Sequence, residues 1–109
     1  MKEITKVMDL AELPTEELAS ILKQGALLRL PYLQVRLRQA KEQVSSFEAK
    51  HDTTLDVLKR QGLPDDADYA MHEDFIEWEY WSHVAHTTEV AVASVQTLLE
   101  KMEETVDIH

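Results

Sequence analysis

From residue 26 the apolar positions advance in alternating steps of four and three: Ala26, Leu30, Leu33, Leu37, Ala40, Val44 and Phe47. That is a heptad seam held for three heptads, the pattern of a helix that buries one narrow stripe against another helix. A second seam of the same kind runs through Trp81, Val84, Thr88, Ala91, Val95, Leu98 and Met102. Ahead of it, Met71, Phe75 and Trp78 form an apolar face one position out of phase, which predicts a stutter or drift near 78–81. No segment of strand length alternates with period two. Two long helices with matching seams predict an antiparallel helical hairpin.

Glycine and proline set the expected boundaries, at Pro14, Gly25, Pro31, Gly62 and Pro64. Thr15, ahead of Glu16 and Glu17, suits the N-cap of a short helix over 16–23 that ends at Gly25. Pro31 pushes Leu30 away from helical backbone, so the first long helix is expected over 31–50, starting at Pro31 or kinked there. Thr53, three residues before Asp56, forms a weak capping box for a short helix over 54–61 that stops at Gly62. The stretch 68–104 has neither glycine nor proline and predicts a long helix with Asp66 or Asp68 as cap. The expectation is thus one all-α domain over 1–109, a long hairpin with short accessory helices. Leu27, Leu28, Tyr32, Val35, Ile76, Tyr80, Val92 and Leu99 fall off the seams, and one hairpin cannot bury both sets. Homodimerisation into a four-helix bundle, or burial against another protein, is the expected remedy.

Charge divides the chain unevenly. The formal net charge is −10, but residues 1–60 hold ten Lys/Arg and nine Asp/Glu, whereas residues 61–109 hold one Lys and twelve Asp/Glu. Between Lys23 and Lys41 there are five cations and no carboxylate, which predicts a basic helix lying beside an acidic one. The acidic balance argues against direct nucleic-acid binding. The most apolar run, 90–99, is about half the length needed to span a bilayer, so no membrane partner is expected. The opening Met1-Lys2-Glu3-Ile4-Thr5-Lys6 lacks a signal-peptide pattern, and the absence of cysteine fits a cytoplasmic protein.

The segment 72–86 carries the residues with chemical potential. His72, Glu79, His83 and His86 share one helix face, and Glu79 with His83 and His86 could reach one zinc-like cation. The chain lacks both the two Glu-x-x-His motifs of di-iron bundles and the His-Glu-x-x-His of zinc proteases. A solvated face, or one paired with Arg36 and Lys41, is the competing reading. Asp74/Glu77 and Glu100/Glu103 have the spacing of magnesium-binding acidic pairs in all-α nucleotide pyrophosphatases. They lie on one helix, however, roughly 40 Å apart at helical rise. No nucleophile constellation or glycine-rich phosphate loop is present. No catalytic residue and no cofactor is therefore assigned; the alternatives are a metal-dependent all-α bundle enzyme of hydrolase or pyrophosphatase type, or a plain helical adaptor. Trp78, Tyr80 and Trp81 stand beside Asp74, Glu77 and Glu79. Core packing is expected to claim one of the tryptophans; the other aromatics, rimmed by carboxylates, suit a basic protein partner.

The stretch Phe47-Glu48-Ala49-Lys50-His51-Asp52-Thr53-Thr54-Leu55-Asp56, followed by Asp74-Phe75-Ile76-Glu77-Trp78-Glu79, resembles small acidic all-α antitoxin-like proteins of prokaryotic toxin–antitoxin modules. Those carry a Phe-Glu-x-Lys-Tyr segment, a short Ser/Thr-capped helix and an acidic Asp-aromatic-x-Glu-Trp helix; here His51 takes the place of the tyrosine. The resemblance covers roughly a third of the chain. It implies a non-enzymatic homodimer that holds a co-encoded, basic, ribonuclease-type toxin inactive. Asp74, Glu77, Trp78, Tyr80 and Trp81 would be its contact residues.

Overall fold

A computed structural model describes residues 14–107, with side chains up to residue 103. The opening residues read above for a leader pattern lie outside the described part. The described residues form three helices and no strand: α1 (Thr15–His51), α2 (Leu55–Gln61) and α3 (Tyr69–Asp107). α1 and α3 pack along their lengths as an antiparallel hairpin, with Lys50 opposite Asp74 at the closed end and Lys41 opposite Glu89 further along. The longest extent is 63 Å, close to the roughly 58 Å that 39 helical residues span.

The α1 seam is where the heptad steps place it. Ala26, Leu33, Ala40 and Phe47 are buried, and Leu30, Leu37 and Val44 between them are half-buried. On α3 the drift is real: Trp78, Val84, Thr88 and Val92 are buried, with Met71, Phe75 and Trp81 partly covered. The seam moves round α3 because a straight helix at 3.6 residues per turn cannot keep a 3.5-residue stripe facing one way. Val92, expected off the seam, is carried into the interface by that drift, and Leu99 becomes half-buried.

Two expected breaks do not occur. α1 runs without interruption through Gly25 and Pro31, joining the segments expected over 16–23 and 31–50. Burial of Ala26 and Leu33, just after Gly25 and on either side of Pro31, outweighs their local cost, about 1 kcal/mol for a mid-helix glycine and about 3 for a proline. At the start of α1 the cap position is Pro14 rather than Thr15, and no side chain caps it. Thr54, not Thr53, caps α2: its Oγ1 accepts the Val57 N–H at 3.3 Å. Asp68 caps α3, with Oδ1 accepting the Met71 N–H at 2.9 Å. α1 ends at Asp52 in left-handed backbone (φ 52°), and α2 ends at Gly62 with φ 77°.

The densest packing sits at the closed end. Phe47, Leu55, Leu58 and Trp78 form the buried cluster, with Val44, Leu63, Met71, Phe75 and Trp81 packed against it. α2 therefore closes the end of the hairpin over Trp78.

Candidate functional site

The aromatic–acidic segment of α3 divides into a buried and an exposed part. Trp78 is wholly buried, stacked on Phe47 (centroids 5.8 Å apart) and on His51 (5.6 Å). It belongs to the core and cannot anchor a partner, which corrects the expectation for that residue. The phase of the Met71–Phe75–Trp78 face points it at α1, and the drift sends Trp81 only partly inward. Trp81 is half-buried, and Tyr80 meets it edge-on at 5.1 Å with the planes 78° apart.

Asp74 is also engaged within the fold. Lys50 Nζ donates to its Oδ2 at 2.6 Å and His51 Nε2 to the same oxygen at 2.9 Å. Asp74 and His51 side chains are largely covered, whereas Lys50 lies in solvent. The hydrogen bond from Lys50, then that from His51, holds the Asp74 carboxyl below the ordinary carboxylate range. Glu79 is drawn away from the exposed face by Lys59 of α2, at 3.3 Å. Lys41 bridges to Glu89 at 3.3 Å. The basic helix thus does lie against the acidic one, but only part of its charge crosses: Arg38 meets Glu42 of its own helix at 4.0 Å, and Arg29 lies over the Tyr32 ring at 4.7 Å.

His72, His83 and His86 are exposed. Among the described residues no three His, Asp or Glu side chains come together to hold a metal ion, so the Glu79–His83–His86 grouping does not assemble. The physical reason is that Glu79 is spent on Lys59, and a single exposed helix face supplies no ligand from a second element. Asp74 and Glu77 do not pair either, since Asp74 faces α1 and Glu77 faces solvent.

What remains on the surface is a face made of Glu73, Ile76, Glu77 and Tyr80, all exposed, Ile76 at 62% and Tyr80 at 53%. Of the expected contact residues, Glu77 and Tyr80 belong to it; Ile76 and Glu73 join them. The signal that finds these two is a further 4–3 progression, Tyr69, Glu73, Ile76, Tyr80, His83, Thr87, Val90, lying roughly 160° round the first turns of α3 from the buried face. Its large members Tyr69, Ile76, Tyr80 and Val90 are all more than half exposed. No helix among the described residues is long and apolar enough to cross a membrane.

Comparison of the chain with protein-family models, curated proteins and solved structures gave no match.

Proposed function

We propose that the chain is a binding protein whose exposed α3 face engages a basic protein partner, in the manner of an antitoxin holding a co-encoded ribonuclease-type toxin. The observation that supports the reading is the composition of that face: Ile76 and Tyr80 in solvent, flanked by Glu73 and Glu77. Apolar and aromatic side chains give contact energy when desolvated, and flanking carboxylates steer a cationic surface toward them. The cytoplasmic setting belongs to the same reading, as does self-association of the chain when the partner is absent. In mechanism, Glu73 and Glu77 stand in for the phosphates of the partner's substrate, while Tyr80 and Ile76 fill the apolar floor beside them. Nothing in this role requires chemistry from the chain.

The test is association with the basic product of the neighbouring reading frame, followed in real time at increasing salt. The reading expects an on-rate that falls steeply with ionic strength, and a further loss in Glu77→Lys and Tyr80→Ala. An on-rate indifferent to salt, with both variants binding as the wild type does, overturns it.

A further inference from the structure

α1 carries a second heptad stripe that the hairpin does not use. Ile21, Gly25, Leu28, Tyr32 and Val35 follow steps of 4-3-4-3, roughly 140° round the helix from the buried seam. The four large members are exposed, Leu28 at 80%. The stripe is rimmed by cations: Arg29 and Arg36 on one side and Arg38 on the other. The α3 stripe described above is its counterpart in step and in opposite charge. Ile21 to Val35 is fourteen steps, about 21 Å of helix, and the α3 stripe from Tyr69 to Val90 is twenty-one, about 32 Å. The α1 rim is arginine, whereas the α3 stripe carries Glu73 within it and Glu77 beside it, neither of these glutamates forming an ion pair among the described residues.

We infer that the α1 stripe of one molecule packs on the α3 stripe of a second copy of this chain. Three observations select this occupant. First, pairing α1 with α1 would bring the Arg29 and Arg36 rims of two copies together, whereas α1 on α3 sets arginine against glutamate, as flanking positions of paired helices require. Second, the stripes advance in the same 4-3 steps and the α1 stripe fits within the length of the α3 stripe, so side chains of one enter the gaps of the other. Third, surface is available to bury: Leu28 is 80%, Tyr69 79% and Ile76 62% exposed, and a standard interface takes about 800 Å² from each partner. Because the two faces differ, the contact is head-to-tail. It covers the face proposed for the basic partner, so self-association and partner binding exclude one another there.

The experiment is sedimentation velocity on the whole chain alone, from low to high micromolar concentration, with Leu28→Glu and Ile76→Lys. Both positions are solvent-exposed, and circular dichroism checks that each variant keeps its helices. The wild type should associate, less so at high salt, and each variant should weaken association tenfold or more. Mixing the two should restore a one-to-one complex, since Leu28→Glu keeps an intact α3 stripe and Ile76→Lys an intact α1 stripe. A monomeric wild type overturns the inference. So does association that survives Ile76→Lys but not Leu28→Glu, which is the mark of α1 pairing with α1, and so does a mixture that stays monomeric. None of these outcomes involves the basic partner, so they bear on the self-association part of the proposed function and leave partner binding to its own test.

Discussion

His51, the last residue of α1, lies flat against Trp78 of α3, with centroids 5.6 Å apart and planes at 19°. The same imidazole donates from Nε2 to Asp74 at 2.9 Å, so one side chain ties α1 to two positions a helical turn apart on α3. Lys50 completes the arrangement from solvent. The closed end of the hairpin is thereby fixed by stacking and by a shared carboxylate together.

Trp78 is the largest wholly buried side chain, and its Nε1 has no hydrogen-bond partner among the described residues. Trp78→Ala should cost about 3–5 kcal/mol through lost burial and the cavity left behind, a large part of the stability of a chain this small. Trp78→Phe should cost much less, because it retains the ring stacking and removes the orphaned N–H. Urea unfolding followed by circular dichroism measures both; equal losses would show that the N–H has an unseen partner.

Asp74 predicts a loss of stability in acid. Its carboxyl titrates below the ordinary range in the fold and at about 4 when unfolded. The stabilisation is therefore complete above about pH 4 and is lost as the pH falls through the folded value. Asp74→Asn should be less stable than the wild type at neutral pH, and the gap should close in strong acid. A gap that stays constant with pH would show that the carboxylate charge contributes nothing.

α1 tolerates two residues that do not favour it. Gly25 is exposed, helical and has room for a methyl group, so Gly25→Ala should add about 0.5–1 kcal/mol. Pro31 lacks the N–H that would bond the Leu27 carbonyl, so Pro31→Ala should also stabilise, by up to about 3 kcal/mol. Thermal unfolding of the single variants tests both; a fall in Tm for Pro31→Ala would mean that the bend it imposes is used.

Gly62 behaves in the opposite way. Its φ of 77° ends α2, and its N–H bonds the Leu58 carbonyl at 2.7 Å. Gly62→Ala should cost about 1–3 kcal/mol, because φ 77° with ψ 165° is backbone that only glycine adopts readily, although nothing stands near the added Cβ. An unchanged unfolding midpoint would show that the turn relaxes freely.

The α1 seam could be read from residue spacing because every member recurs at 4–3 steps and each is covered in the fold. The join through Gly25 and Pro31 could not, since local propensity says stop at both and only the packing of Leu33 and Ala26 against α3 outweighs it. Trp78 shows the same limit at the site. Its neighbours made it as plausible a surface anchor as Trp81, and the phase of α3 against α1 decided between them. Glu79 was legible as a ligand type, but its capture by Lys59 depends on where α2 lies. Ile76 was legible as an apolar residue off the seam, yet its place in a continuous exposed stripe needs Tyr69 and Val90 counted with it.

The buried cluster of Phe47, Leu55, Leu58 and Trp78 sits wholly at the closed end, while Ile21, Leu22 and Leu98 at the open end remain exposed. Cohesion is therefore graded along the hairpin, and the helices should part from the free ends inward, as a pair of tongs opens about its pivot. Amide hydrogen exchange should follow that order, fastest near Ile21 and Leu98 and slowest around Phe47 and Trp78. Folding should run the other way, since the turn through α2 brings Phe47 to Trp78 across a short loop before the arms can meet.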